Sequence, residues 1–100
     1  MSKNSSVIVL EIFEYLSGCT GKYFSDYYAG ITNDPKERLF TEHNVDEQYG
    51  CWIYRKAVDI DNARNAEKRL IEKGMKGGDG GGDDSSLYVY SYLITNQTKE

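Results

Sequence analysis

Residues 26–44 (DYYAGITNDPKERLFTEHN) constrain this chain more tightly than any other stretch. Asp34 is a favourable N-cap, Pro35 suits the first helical position, and Glu37 completes an Asp-x-x-Glu capping box. Pro35 also pushes Asp34 towards extended geometry, which is the geometry of an N-cap. Just upstream, residues 27–31 form a short aromatic strand, so a strand must hand over to a helix within about three residues. The helix spans 35–43. Leu39 and Phe40 form its apolar stripe, His43 lies one turn beyond Leu39 on the same side, and Arg38 stands at the flank.

The rest of the chain supplies partners for that junction. Residues 7–16 (VIVLEIFEYL) are β-branched and aromatic with both faces largely apolar, which predicts an inner strand. Two glycines and small polar residues in 17–25 then turn the chain back, so that 27–31 pairs antiparallel with that strand. Residues 51–58 read as a third strand around Trp52, Ile53 and Tyr54. Asp59 or Asp61 caps a second helix that ends near Lys73, with Gly74 as its stop. Residues 87–95 alternate as a final strand, with Leu87, Val89 and Leu93 on one face and Tyr88, Tyr90, Tyr92 and Ile94 on the other. The expected fold is α/β (α+β): one domain over 1–100, a small antiparallel sheet flanked by helices, in the order β-β-α-β-α plus a C-terminal strand.

Charge and cysteine usage narrow the function. Twelve basic against sixteen acidic residues leave a net charge of −4, which argues against strong unaided binding to a polyanion. Nine tyrosines against three phenylalanines suit a half-wet sheet face or a polar site. Cys19 and Cys51 have neither zinc nor Cys-x-x-Cys spacing, so they are expected as free thiols in a cytoplasmic protein. The first apolar run meets Glu11 too early for an export signal or a membrane span.

Several residues stand out chemically, each beside a plainer reading. The stripe of the second helix is Ala63, Ala66, Leu70 and Ile71, and Glu67 falls inside it. An acid on a buried helix face is costly unless paired, protonated or bound to metal, although it can also snorkel or pair with Arg64 or Lys68. Arg38 can neutralise a phosphate or pair on the surface with Asp34 or Glu42. His43 can transfer protons or simply favour a helix C-terminus. Tyr28 can orient water or pack the sheet, and the tyrosine row of 87–95 can stack bases or form an amphipathic strand face. The loop 76–84 (KGGDGGGDD) has neither phosphate-loop nor calcium-loop spacing, and reads as a mobile segment or one that closes over substrate.

Taken together, these residues resemble the GIY-YIG nuclease family. Tyr28-Ala29-Gly30, continued by Ile31 and Thr32, looks like the family's second motif. Arg38 follows eight residues after Gly30, where the family has its helix arginine, and His43-Asn44 resembles the histidine that comes next. Residues 59–70 (DIDNARNAEKRL) look like the later helix that carries the metal-binding glutamate, here Glu67. The resemblance covers roughly 7–73, and residues 6–10 (SVIVL) lack the glycine and tyrosine of the family's first motif.

The resemblance implies an endonuclease that hydrolyses phosphodiester bonds in DNA using one Mg²⁺ or Mn²⁺ ion held at Glu67. Tyr28, Arg38, His43 and Glu67 would be catalytic, with Gly30, Thr32 and Lys36 contacting substrate. A partner protein or a second copy would supply affinity for DNA that the acidic domain lacks. The absent first-motif tyrosine implies the alternative, a binding or interaction module that keeps the fold without turnover.

Overall fold

Asn4 opens the first helix by accepting the backbone N–H of Val7 on its side-chain oxygen at 2.9 Å. In the computed structural model, which describes residues 2–77 and 85–100, α1 (Ser5–Leu16) therefore replaces the strand expected over 7–16. The cause lies in burial. Ile8, Val9, Ile12 and Leu16 are buried at helical spacing, whereas Leu10 is 59% exposed. The apparent two-sidedness of that run came from Val7 and Leu10, which the fold leaves in water, so packing overrides β propensity. Ser5 N–H donates to Asn62 Oδ1 (2.8 Å), tying the start of α1 to the second helix.

Three antiparallel strands follow: β1 (Tyr27–Thr32), β2 (Trp52–Lys56) and β3 (Tyr88–Leu93). Their order in the sheet is β1-β3-β2, so the last strand is central and pairs with both others. With no strand at 7–16, β1 takes β3 as its partner instead, and Gly30 stands opposite Tyr90. Element order is thus α-β-α-β-α-β within a small α+β domain, and the expected β-β opening is corrected.

The helix after β1 forms where the capping residues placed it. Asp34 Oδ1 accepts the Glu37 N–H (3.2 Å), but the Asp34 N–H goes to Thr32 Oγ1 (3.1 Å) and not to Glu37, so only half of the capping box is made. From Glu37 to Glu42 the backbone is wound as a π-helix. Asn44 then takes a left-handed φ of 57°, a conformation asparagine tolerates. Helix α2 (Ile60–Glu72) is capped by Asp59, whose carboxylate accepts the Asn62 N–H (2.8 Å), and the chain leaves it through Gly74 at φ 122°.

Strand alternation gives the sheet two faces. On one, α1 and α2 bury a core that includes Ala29, Ile31, Ile53 and Val89. On the other, Tyr90 and Tyr92 pack with Leu39 and Val45. The expected division of the last strand holds here, with Val89 and Leu93 towards the first core and Tyr90, Tyr92 and Ile94 towards the second. At the outer edge of β1, Lys76 exchanges backbone hydrogen bonds with Tyr27 and Ala29 (2.9 and 2.8 Å). At the edge of β2, Arg55 donates from its guanidinium to the Tyr54 carbonyl (2.8 Å) and to Glu11 (2.7 Å), which blunts a strand edge open to another chain.

Cys19 and Cys51, expected as free thiols, are joined in a disulfide that ties the segment after α1 to the approach to β2. Neither spacing nor composition pointed to this; the fold brings their Cα atoms to 6.2 Å. Among the described residues no helix is long and apolar enough to cross a membrane. The loop role suggested for 76–84 falls largely on residues 78–84, outside the described residues.

Candidate functional site

The site is built around a residue that the sequence reading left in a packing role. Tyr90 lies on the central strand opposite Gly30, and a Cβ on Gly30 would stand 2.5 Å from the Tyr90 hydroxyl oxygen. Gly30 therefore clears the path along which the Tyr90 ring crosses β1. Its hydroxyl donates to His43 Nε2 (2.8 Å). Burial, reinforced by the neighbouring Tyr28, pushes the Tyr90 phenol well above its ordinary range, with Glu67 adding to the rise and Arg38 opposing it. Three elements thus meet around one hydroxyl: Tyr28 and Gly30 from β1, His43 from the exit of the π-helix, and Tyr90 itself from β3.

The π winding explains how Arg38 and His43 share that site. Five residues along an α-helix would leave them about 140° apart around the axis. Here the His43 N–H bonds to the Arg38 carbonyl (2.9 Å), closing a five-residue turn that returns both to one side. Arg38 Nε is shielded from water and lies 3.4 Å from Glu42 Oε1 without hydrogen-bond geometry. That N–H is a donor still unspent among the described residues. Of the two ion pairs open to Arg38 from sequence, the one with Glu42 forms, while Asp34 caps the helix.

His43 is 5% exposed, and burial pulls its pKa below the ordinary imidazole value. Its Nδ1 faces the Lys99 carbonyl at 2.6 Å, an obligate acceptor, so Nδ1 carries the proton and Nε2 receives the Tyr90 O–H. The Tyr92 hydroxyl sits 3.0 Å from the same Nδ1 and donates to the Lys99 carbonyl (3.3 Å). The Tyr28 ring packs on His43 (4.8 Å between centroids) and stacks near-parallel with Tyr92 (5.4 Å, 23°). The proton line runs from Tyr90 through a neutral imidazole to a backbone carbonyl.

Glu67 occupies the place periodicity gave it, on the α2 face between buried Ala63 and Leu70. Desolvation raises its pKa, and the nearby Arg64 offsets only part of that rise. Its donor chemistry fits one hard divalent ion that keeps most of its water shell: a partly dry carboxylate whose charge is under-compensated. No cluster of three or more metal-ligating side chains exists among the described residues, so any ion there would have few protein ligands. Of the residues assigned to substrate contact, Gly30 makes room for Tyr90, Thr32 is buried and holds Asp34, and Lys36 is exposed at the head of the π-helix.

Tyr90 and Tyr92 are the members that sequence reasoning missed. Their alternation was visible, but nothing local announced that their strand would lie beside β1. No family model, curated protein or solved structure matches this chain.

Proposed function

We propose that this cluster is a phosphodiester-cleaving site of GIY-YIG type and that the protein is a divalent-metal-dependent endonuclease acting on DNA. One observation supports the reading: Gly30 and His43, named separately in sequence, meet at the Tyr90 hydroxyl, with Arg38 one π turn from His43. The antiparallel partner of β1 comes from the C-terminal strand instead of residues 7–16, and on this reading Tyr90 would stand in for the second tyrosine.

A Mg²⁺ or Mn²⁺ ion at Glu67 would supply a polarised phosphate oxygen and an acidified water when bound. Arg38, whose Nε–H has no hydrogen-bond partner among the described residues, has a permanent charge with which to neutralise the phosphate as negative charge develops. Tyr28 and Tyr90 would orient the attacking water, with His43 fixing the Tyr90 hydroxyl. Lys36 can flank the substrate backbone. Weak affinity of the acidic domain calls for a partner protein or a homodimer to hold DNA. As to compartment, the Cys19–Cys51 bond favours an oxidising one over the cytoplasm first expected.

Nicking of supercoiled plasmid and branched DNA in Mg²⁺, Mn²⁺ or EDTA tests this. Arg38→Ala lowers the cleavage rate by at least ~10²-fold, as loss of one preorganised donor does elsewhere. Glu67→Gln abolishes metal-dependent cleavage without unfolding the protein; full activity in that variant sinks the assignment.

One observation favours the second reading, a non-catalytic binding or interaction module. Both ring nitrogens of His43 are already engaged, and Arg38 has Glu42 beside it. Absence of cleavage on every substrate by a folded protein decides for the module.

A further inference from the structure

Strand register lays three rows across the second face of the sheet. They are Tyr28–Tyr92–Trp52, Gly30–Tyr90–Tyr54 and Thr32–Tyr88–Lys56. The β1 half of this grid belongs to the site described above. The β2 half, with Trp52, Tyr54, Tyr88 and Lys56, has no part in it. The Trp52 and Tyr54 rings are parallel to within 10°, with centroids 6.1 Å apart. Tyr88 meets Tyr54 edge-on at 5.9 Å, and the Lys56 ammonium lies 6.0 Å over the Tyr88 ring. Phe40, from the π-helix, abuts Trp52 at 4.8 Å and closes one end of the strip. The other end, Tyr54 and Tyr88, stays partly open to solvent.

We propose that this strip is a stacking platform for unpaired nucleotides, so that the substrate carries a single-stranded stretch. This rests on the nuclease reading of the adjoining site and names its substrate class. Three features point to it. Aromatic faces are accessible only to bases that have left a duplex, whereas a duplex presents edges and phosphates. From Gly30, under the Tyr90 hydroxyl, to Tyr54 is two strand spacings, about 10 Å, which matches one or two nucleotides of a strand lying across the sheet. Lys56, at one end of the grid, is a cation placed for a phosphate flanking such bases.

The charge balance agrees. At −4 overall, with Glu42 beside Arg38 and Glu11 beside Lys3 and Arg55, the protein is poorly made for gripping many phosphates at once. Stacking supplies affinity that does not depend on them.

Trp52 is the chain's sole tryptophan, so its emission reports on the strip directly. Titration in EDTA with oligothymidylate, oligouridylate and a short duplex separates the sources. One or both single strands quench Trp52 and bind at least ~10-fold more tightly than the duplex. The salt slope is shallow, roughly −0.7 for each of the few phosphates held. The deoxy or ribo preference identifies the natural strand. Tyr54→Leu weakens binding by roughly 10-fold or more, Tyr54→Phe retains it, and Tyr88→Leu serves if Tyr54→Leu does not fold. Equal or tighter duplex binding, unquenched Trp52, or a folded leucine variant that binds like wild type overturns the platform. Because binding is read without metal, the two readings fail separately. Stacking without cleavage removes the nuclease, and cleavage without Trp52 quenching removes only the platform.

Discussion

At Glu67, partial withdrawal from water lifts the carboxyl above its ordinary value of 4.5. Because the folded-state pKa is raised, its contribution to stability is fully present below that ordinary value and is lost as pH rises through the folded value. The residue therefore costs stability when the protein is metal-free and near neutral pH, a cost suited to a ligand-binding group. Glu67→Gln is expected to be more stable than wild type at neutral pH by about 0.5–1 kcal/mol. That difference disappears below pH 4.5. Urea melts of both proteins across pH, in EDTA, check it, and a less stable glutamine variant would count against the under-compensated carboxylate. Glu67 was legible in sequence because a charge inside an apolar stripe is a local contradiction. Arg38 and His43 were legible as candidates by residue type and position, but nothing in their spacing tells of a π turn.

Among the elements, β1 and its neighbour carry the site. Gly30 and Tyr90 form a cross-strand pair in which the absent side chain makes room for the large one. Gly30→Ala forces the Tyr90 ring aside and with it the hydrogen bond to His43. The expected cost is ~1–3 kcal/mol, typical of overpacking. In a Tyr90→Ala background the same substitution should cost far less, and a double-mutant cycle on thermal melts measures the coupling. Equal costs in the two backgrounds would mean that Gly30 is required for its own backbone. Helix α1 teaches the opposite lesson. VIVLEIFEYL favours a strand residue by residue, yet Asn4 caps it and a helix buries Ile8, Ile12 and Leu16 together. The cap lay three residues upstream of the apolar run.

For the molecule as a whole, the Cys19–Cys51 bond closes 32 residues of separation, from the exit of α1 to the approach to β2. Loop closure of that length is worth on the order of 3–4 kcal/mol in the chain-entropy account. Reduction, or Cys19→Ser, should lower the melting temperature by roughly 12–25 °C for a domain of this size. Melts with and without a thiol reductant test this, and coincident curves would show that the bond carries no stability. The sequence alone determined what depends on near neighbours: the Asp34 cap, the Gly74 exit, the alternation of the last strand and the anomaly at Glu67, with the second helix's cap narrowed to Asp59 or Asp61. Each is written within a turn of chain, where propensity and periodicity act. Only the tertiary structure decided which strand lies beside β1, that residues 7–16 coil into a helix, that two distant cysteines meet, and that Tyr90 stands at the centre of the site. Those choices follow from burying one face of each element against another, and that energy belongs to pairs of segments far apart in the chain. The strand-to-helix junction at 26–44 was visible from the outset. The tyrosine that lies across from its Gly30 comes from the last strand.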